Sequence, residues 1–576
     1  MSPFGNMKNQ ALLCALIGAA LGMGFQTAQA MNPFSKSAGE AYRNLPEAKK
    51  GGAIFLNLIA NPSSLSPLTN YDTRVWDVVD DLYVPFMFRD YDTGEYFPLL
   101  AEKVDVSRDH KVMTFTLRKD AVWDDGTPIT SDDVEFTFQK LMDPKTNAAH
   151  KRVYFEDFTF EKVDPQTVRF KVTHPNVNTL VEINDDFRVI QKKQFVSEPD
   201  FNKARGILSP VSSGPYRLKS FQRDQKLELE RKKDWWGYKV SGMKNLFNFD
   251  TIVYRIISDP SLSYEKFVKG EIDLLEMNAE VFGTRVKGAD KDKYGPNPET
   301  DKPLWAKHFE TRAPALTNII GWNLKRPLFQ SKKTRQALAQ LVNYDEILNK
   351  IYYGEAVRSF SPFGSNTPNT APDQKKKTFQ FDPAKAIALL KEDGWADDGQ
   401  GVLTKMIDGK KIRFEFTLRY NSENPMRAKI AQVMREQFKK AGIVLNVQAL
   451  EYNTLVETMQ NRDFDALVMG WGKGNLYQDS KQIWHSSSWE NRGSNFVGYS
   501  NPEADKLIEE ATNELDIQKH FKLNQKLAAI IYDDQPCVFL LEVPGFFAAF
   551  QSSKIRSKKW VMKYDETIPV WMYSAQ

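Results

Sequence analysis

Strand-like and helix-like patterns alternate along the chain. In one segment the apolar residues Met113, Phe115 and Leu117 take every second position, which is the period of a strand buried on one face. The same interpretation predicts strands at 52–56, 168–172, 227–229, 413–418 and 443–447. Because helical patterns stand between many of these strands, we predict a layered α/β structure.

Helix boundaries are clearest around Pro383. Asp382 is a good N-cap, proline suits the first helical position, and Gly394 is a typical stop. In this helix Ile387 and Leu390 are expected to face inward. Four more helices are predicted from apolar stripes: Val75, Val79, Leu82 and Phe86 within 73–89; Val134, Phe138 and Leu141 after a cap at Thr130 or Ser131; Ala337, Leu341, Leu348 and Ile351; and Met426, Ile430, Val433 and Phe438.

Length and composition predict several packed cores. The chain has 576 residues, of which 41% are hydrophobic and 26% charged, and this excludes a disordered or fibrous protein. Chains longer than about 250 to 300 residues usually divide into domains. The 78 Lys and Arg nearly balance the 74 Asp and Glu, so a nucleic-acid partner is not expected.

The N-terminus has the pattern of a secretory signal peptide. Lys8 precedes an apolar stretch at 11–25, and the small residues Ala28 and Ala30 predict cleavage before Met31. The alternative is a retained membrane anchor, but roughly 15 apolar residues are short for a span of about 20. A lipid anchor at Cys14 is not expected, because no small residue precedes that cysteine. After cleavage Cys537 is the only thiol, so no disulfide forms within the mature chain.

A search for catalytic patterns finds no established constellation. The motifs G-x-S-x-G, G-x-x-x-x-G-K-[ST], H-E-x-x-H and C-x-x-C do not occur, and the 6 histidines lack metal-ligand spacing. The paired carboxylates at 124–125 and 397–398 stand beside glycines, where they are typical of turns. We therefore predict no enzyme activity, no metal site and no cofactor.

One aromatic cluster is better suited to ligand recognition. Trp471, Tyr477, Trp484 and Trp489 lie in a segment rich in Gly, Asn and Ser. Aromatic faces among small polar groups are typical of ligand sites. The alternative is that these rings fill a domain core.

Several motifs together resemble the family 5 extracellular solute-binding proteins, which are the peptide-binding type of ABC-importer receptor. The longest is TFTLRK followed by VWDDGTP and DDVEF, which together span 114–136. The other matches keep the family's order and are SGPY (213–216), GEID (270–273), RQAL (335–338), FDP (381–383), GI (442–443), FDA (464–466), GSNF (493–496) and YSNP (499–502).

The resemblance implies a two-lobe periplasmic binding protein of the type II-like, cluster C class. An extra domain is expected on the first lobe, and the chain is expected to cross between the lobes twice. The implied units are a signal peptide at 1–30, first-lobe parts at 31–89, 205–314 and 541–576, an extra α/β domain at 90–204, and a second lobe at 315–540.

The resemblance also implies a ligand site in the cleft between the lobes. An extended second-lobe segment that runs from Met469, Gly470 and Trp471 through Asp479 is expected to pair with peptide main chain, opposite Tyr71, Asp72 and Thr73. Further implied ligand-binding residues are Tyr477, Asp479 and Trp484.

One position departs from the family pattern. Peptide-binding members usually place an Asp where this chain has Tyr477, and that Asp pairs with the ligand's α-ammonium. A buried, unpaired ammonium is costly, so either Asp479 or Asp72 replaces it, or the ligand has no such group. Alternatively, Asp479 caps the helix containing Trp484.

The function implied by this resemblance is capture of oligopeptides in the periplasm and their delivery to an ABC transporter permease. The same fold also serves receptors for a sugar, an opine, a nickel complex or haem. A secreted hydrolase is a further alternative of a different class. We expect the mature protein to be a monomer that is not integral to the membrane.

Overall fold

The computed structural model describes residues 39–45, 47, 49–72, 75–90, 95–176, 179–286, 304–309, 316–471, 480–490, 493–551, 555–556 and 574–575. The predicted signal peptide, its cleavage site and Cys14 lie outside the described residues. Cys537 is buried with a free thiol.

The strands are numbered in chain order. The first half contains β1 (Ala53–Leu58), β2 (Met87–Arg89), β3 (Tyr96–Pro98), β4 (Ala101–Val106), β5 (Val112–Leu117), β6 (Phe158–Asp164), β7 (Thr167–Val172), β8 (Tyr216–Gln222), β9 (Lys226–Arg231), β10 (Thr251–Ile256) and β11 (Leu274–Met277). The second half contains β12 (Leu304–Phe309), β13 (Thr317–Trp322), β14 (Val357–Arg358), β15 (Ala396–Asp397), β16 (Leu403–Ile407), β17 (Lys410–Arg413), β18 (Glu415–Asn421), β19 (Val444–Leu450), β20 (Ala466–Trp471), β21 (Cys537–Glu542), β22 (Phe546–Gln551), β23 (Ile555–Arg556) and β24 (Ser574–Ala575).

The α-helices are numbered in the same way. They are α1 (Glu40–Arg43), α2 (Trp76–Leu82), α3 (Ser131–Met142), α4 (Ala149–Phe155), α5 (Thr179–Val181), α6 (Lys192–Phe195), α7 (Pro260–Val268), α8 (Ala279–Arg285), α9 (Lys332–Gln340), α10 (Tyr344–Glu346), α11 (Pro383–Glu392), α12 (Pro425–Lys440), α13 (Tyr452–Gln460), α14 (Lys481–Trp484), α15 (Ser487–Glu490), α16 (Pro502–Thr512) and α17 (Ile517–Asp534). Single turns of 3₁₀ or π type lie at Glu182–Asp186, Phe201–Lys203, Arg205–Ile207, Trp236–Lys239, Pro327–Phe329, Ile347–Ile351 and Gln374–Lys377.

The first lobe is assembled from distant parts of the chain. One sheet has the order β1-β10-β9-β8, in which β1 pairs in parallel with β10, so that Ala53 lies opposite Thr251. A second sheet has the order β11-β22-β12, and its central strand comes from the C-terminal part of the chain. The long segment of chain between β1 and β8 forms a separate unit.

That unit is the extra domain, built on the antiparallel sheet β4-β5-β7-β6. Its helix α3 begins with a capping box, in which Thr130 donates its backbone N–H to Asp133 and accepts in return from the N–H of that residue. Phe115, Phe170 and Phe187 pack with Phe86 in its core. The capping box confirms Thr130 as the N-cap, which was one of the two positions predicted from the sequence.

The second lobe is a six-stranded mixed sheet of order β14-β21-β13-β20-β18-β19. The chain enters it between β12 and β13 and returns to the first lobe between β21 and β22. At the return, Gly545 has φ +80°, a left-handed conformation that favours glycine. The predicted two-lobe α/β fold with an extra domain and a discontinuous chain path is confirmed, whereas its exact boundaries remain a prediction.

The cores of the lobes explain how these units are joined. One buried apolar cluster contains Ile54 of β1 and Phe115 of β5, so the first lobe and the extra domain share a core. A second cluster includes Ile320 of the second lobe and Phe547 of β22. Helix α8 contributes to this cluster, because Phe282 stacks on Phe547 with ring centroids 4.7 Å apart.

Two predicted helices are shorter than expected. The helix predicted at 73–89 ends at Leu82, because Pro85 forces the residue before it into an extended conformation. The stripe from Ala337 to Ile351 is divided between α9 and the turns that follow it, because Asn343 caps a new helix by accepting the N–H of Glu346.

Two smaller predictions also need correction. Ile387 is 46% exposed and does not face inward, whereas Leu390 is buried as predicted. Ala386, four positions before Leu390, completes the buried stripe. The strand predicted at 413–418 is two strands, because Phe414 turns into the core between β17 and β18. The two acidic pairs form turns as predicted: Asp125 accepts the Thr127 N–H at 3.0 Å and Asp397 that of Gly399 at 2.7 Å.

Candidate functional site

A cavity of about 370 Å³ lies between the two lobes. The first lobe lines it with the end of β1, the start of α7, β11 and the start of α8. The second lobe lines it with the ends of β18 and β20 and with residues of α12 and α13. Both lobes therefore contribute walls, as a ligand cleft requires.

The end of β20 has one unpaired edge that faces this cavity. On one side β20 pairs with β13 along its whole length, from Ala466 to Trp471. On the other side it pairs with β18 only at Ala466 and Leu467. Within the described part of the chain no strand covers this edge beyond Leu467. Main-chain N–H and C=O groups near Gly470 are thus positioned to bind an extended ligand.

Gly470 allows a close approach at this edge. A Cβ atom there would lie 2.9 Å from Leu316 Cδ2 and 3.2 Å from Arg427 Nη2. Both side chains line the cavity, and any larger residue at 470 would displace them. The glycine therefore keeps the strand edge open between these two side chains.

Arg427 is the principal cationic side chain of the cavity wall. It lies in the first turn of α12, where Asn424 caps the helix and Pro425 occupies the first position. Its Nη1 donates to Asn421 Oδ1 at 2.7 Å, which orients the guanidinium. Burial raises the pKa of Tyr352 to about 12, and the nearby positive charge of Arg427 opposes that rise.

Carboxylates line the same cavity. Glu276 comes from β11, and Glu423 comes from the loop before α12. Glu423 accepts the Tyr452 N–H at 3.1 Å and an Asn421 Nδ2–H at 3.3 Å. The cavity thus presents one guanidinium and two carboxylates, together with the apolar side chains of α13.

Trp471 is partly buried and borders two cavities. It lines the interlobe cavity and also a small apolar cavity of about 20 Å³ behind β20. Its ring lies 6.1 Å from that of Phe496. Trp484 also lines the small cavity but is only 4% exposed, and its ring packs on Tyr499 and Phe539 in the second-lobe core.

Tyr71 is partly buried, and its ring packs on that of His150 with ring centroids 3.8 Å apart. Burial raises the pKa of Tyr71, while the positive charges of Arg152 and of Arg462 in the second lobe oppose the rise. Arg462 lies over Phe496 at 4.7 Å, the same ring that Trp471 approaches.

Asp72 is 9% exposed, and its backbone N–H and C=O are both bonded to the side chain of Asn70. Thr73, Tyr477 and Asp479 lie outside the described residues. The structure thus places Gly470 and Trp471 in the wall of the interlobe cavity, whereas Tyr71 is not among the residues that line it. The roles assigned to the predicted site residues remain predictions.

Sequence reasoning missed much of the cavity wall. Arg427, Glu423 and Tyr452 each stand at or just before a helix start, and nothing in the local pattern distinguishes them from ordinary surface residues. The only sequence signal for these cavity-wall residues was their position between a strand and the next helix, because α12 and α13 begin just after β18 and β19 end. Residues at the carboxyl ends of sheet strands frequently line binding crevices.

The lobes also touch at the two margins of the cleft. Next to the cavity, Lys429 Nζ lies 2.6 Å from Glu280 Oε1. On the far side of Trp471, Lys481 Nζ lies 3.0 Å from Glu156 Oε2, and Tyr154 Oη donates to Gln482 Oε1 at 2.5 Å. The lobes are therefore in contact around the site.

Among the described residues, no group of three or more His, Cys, Asp or Glu side chains is arranged to hold a metal ion. The helices described here also include none with the length and apolar character needed to span a bilayer.

Comparison with known proteins identifies the family. The model of the bacterial extracellular solute-binding proteins, family 5, matches residues 95–494. The oligopeptide-binding protein AppA of Bacillus subtilis (strain 168) is 30% identical over 518 residues, which cover 88% of this chain and 89% of that protein.

Solved structures agree with this assignment. The structure of AppA from Bacillus subtilis in complex with a nonapeptide has a TM-score of 0.81 at 27% identity and covers 92% of this chain and 100% of that one. NikZ from Campylobacter jejuni in complex with Ni(L-His) has a TM-score of 0.74 at 21% identity, covers 92% of this chain and 100% of that one, and shows the fold alone. This chain belongs to family 5 of the bacterial extracellular solute-binding proteins.

Proposed function

We propose that this protein is the periplasmic receptor of an ABC importer and that it captures oligopeptides in its interlobe cleft. The open edge of β20 beside the interlobe cavity is the observation that carries this proposal. A peptide main chain that pairs with this edge gains hydrogen bonds that do not depend on its side chains. Affinity with little sequence preference is the consequence.

The charges of the cavity favour a zwitterionic ligand. Arg427 is placed to pair with a carboxylate by a two-pronged hydrogen bond, while Glu276 and Glu423 suit a cationic group. A neutral sugar has no charged group that could pair with these side chains. We assign Arg427 to the peptide's carboxyl end or to an acidic side chain.

The partner of the peptide's α-ammonium is assigned from the family resemblance. Asp479 is our first choice and Asp72 the second, because a buried ammonium needs a carboxylate beside it. Trp471 and Tyr71 supply apolar contact on either side of the cleft. Ligand contact with both lobes drives closure, because only contacts made in the closed form favour it.

The cellular part of the proposal follows from the sequence. Cleavage of the signal peptide before Met31 releases the mature chain into the periplasm as a monomer. The closed lobes then present one joint surface to the transmembrane permease, and another subunit of the importer hydrolyses ATP. N-terminal sequencing of the protein from a periplasmic extract tests this step, and a mature chain that still contains residues before Met31 would contradict it.

Identification of the bound solute is the decisive experiment. The protein is purified without denaturation, incubated with a mixture of peptides, separated from free ligand and extracted for mass spectrometry. Intact peptides support the receptor assignment. Retention of a sugar, an opine, a nickel complex or haem in place of peptide would support the alternative receptors, and cleaved peptides would support a secreted hydrolase.

Arg427 permits a sharper test of the same proposal. Arg427→Ala should weaken the binding of free-acid peptides by about tenfold or more, because a charge-assisted hydrogen bond is lost. Peptides with amidated C-termini distinguish a contact of Arg427 with the carboxyl end from a contact with an acidic side chain. If Arg427 binds the carboxyl end, these peptides should bind the variant and the parent with equal affinity. Arg435→Ala, on the exposed face of the same helix, is the matched control. Equal affinity of Arg427→Ala and the parent for free-acid peptides would exclude this role.

A further inference from the structure

The extra domain forms one body with the first lobe. Phe115 and Phe170 of its sheet belong to the same buried cluster as Ile54 and Leu229 of the first-lobe sheet. A shared core resists relative motion, because separating its halves would expose apolar surface to water. Any movement of the β1-β10-β9-β8 sheet relative to the second lobe therefore carries the extra domain with it, whereas Phe547 of β22 packs in the second-lobe cluster.

One end of the extra domain reaches the second lobe. Helix α4 and the residue after it, Glu156, contact α14. Lys481 and Glu156 form an ion pair with side chains 30% and 39% exposed, and Tyr154 bonds to Gln482. Gln482 also donates to Ser494 Oγ at 2.8 Å, which ties α14 to the second lobe.

Helix α14 is close to the candidate site. Ile483 and Trp484 line the small apolar cavity together with Trp471. A contact that holds α14 therefore also holds the wall behind the Trp471 ring. The other ion pair at the cleft margin, Lys429–Glu280, involves neither α14 nor the extra domain.

We propose that the extra domain acts as a clasp, in which Tyr154 and Glu156 fasten α14 in the closed form and thereby stabilise closure around the ligand. The inference rests on the two-lobe fold and does not require the ligand to be a peptide. Opening the cleft must separate Glu156 from Lys481, because they belong to different bodies. An exposed ion pair favours its bound form only by about twofold to fivefold, so the clasp adjusts the closed population and does not lock it.

Carbodiimide cross-linking tests whether the contact forms. This reagent activates a carboxylate and couples it to an adjacent lysine amine as an amide, with the carbodiimide converted to a urea. In the unmodified protein we expect a cross-link between Glu156 and Lys481, identified by mass spectrometry of the digest. The pair Lys162 and Asp132, 2.5 Å apart within the extra domain, is the positive control. A Lys162–Asp132 cross-link without a Glu156–Lys481 cross-link would overturn the proposal.

Charge exchange tests whether the contact has an energetic effect. Glu156→Lys and Lys481→Glu should each weaken binding of a random nonapeptide pool by about threefold to tenfold, because like charges then face each other in the closed form. The double exchange should restore most of the affinity. Glu102→Lys and Lys111→Glu, exposed residues of the extra-domain sheet, make the same charge changes elsewhere and should have little effect. Equal losses in the double exchange and the single variants would refute the clasp.

Failure of the proposed function leaves the clasp testable. If no peptide binds, the Glu156–Lys481 cross-link in a ligand-free sample still reports the contact, and the double exchange, which keeps one carboxylate and one amine at these positions, should also form it. Circular dichroism of each variant shows whether it is folded. A folded, ligand-free double exchange that fails to form this cross-link would show that the charge pair does not fasten α4 to α14.

Discussion

Trp471 lies at the border between the candidate site and the second-lobe core. It borders the interlobe cavity on one side and the small cavity with Phe496 on the other. Its ring is only partly buried, so most of the second-lobe core does not depend on it. Trp484, in contrast, is nearly fully buried.

Trp471→Ala should therefore weaken peptide binding about tenfold or more while the protein remains folded, because an aromatic wall of the cleft is removed. Trp484→Ala is the contrasting variant and should lower the unfolding free energy by about 3 to 5 kcal/mol. Titration by isothermal calorimetry and chemical denaturation measure the two effects. A Trp471→Ala variant that fails to fold would assign this ring to the core.

His150 is a second residue of interest, because its surroundings change the pKa of its imidazole. Burial lowers the pKa of His150 to about 3, and the positive charges of Lys151 and Arg152 act in the same direction. The folded protein thus holds a neutral imidazole, whereas the unfolded chain binds a proton below a pH of about 6.5.

Stability should therefore decrease as the pH falls from about 6.5 toward 3, by about 1.4 kcal/mol per pH unit from this residue. His150→Gln should flatten the dependence between pH 7 and pH 5, as measured by urea denaturation. An unaltered slope in His150→Gln would show that this imidazole is not the group responsible.

At the scale of elements, local signals were most reliable where a cap fixes the end of a helix. Helix α11 starts after Asp382, whose carboxylate accepts the Lys385 N–H at 3.0 Å, and Gly394 at φ +91° follows it. The α2 region was less predictable, since its apolar spacing continues through Phe86 although the helix has ended. The ring of Phe86 is buried by contact with Phe115, and the local period carries no information on that contact.

Asp382→Ala should lower the unfolding free energy by about 1 kcal/mol, because the first turn of α11 loses a hydrogen-bond acceptor. Asp382→Asn preserves the acceptor and should change the free energy by only a few tenths of a kcal/mol. Urea denaturation of the two variants measures the difference. Equal losses of unfolding free energy in the two variants would show that the negative charge of Asp382, and not its hydrogen bond to the helix, provides the stabilisation.

At the scale of the molecule, ligand binding and stability are linked. A solute that contacts both lobes binds the folded chain only, so it raises the free energy of unfolding by about 2.7 kcal/mol at 100 times its Kd.

The melting temperature should thus rise with the logarithm of the concentration of a tight-binding peptide, and small-angle scattering should show a smaller radius of gyration in its presence. In the Trp471→Ala variant, the same rise in melting temperature should require a higher peptide concentration. A melting temperature independent of every peptide in the mixture would contradict the peptide assignment.

The sequence by itself determined the local elements and the family of this protein. Alternating apolar residues, caps and glycine stops act over a few positions, so patterns such as those at Met113 and Asp382 suffice to place strands and helices. The motif from 114 to 136 identified the family before any contact was known.

Only the tertiary structure decided which distant segments meet. The pairing of Ala53 with Thr251, the burial of His150 beside Tyr71 and the position of Arg427 at the open edge of β20 all join residues far apart or on different elements. Such contacts arise when whole sheets and helices pack together, and a short stretch of sequence does not contain both partners of the contact. The ligand site lies between two lobes, and for this reason most of its wall was found only in the folded chain.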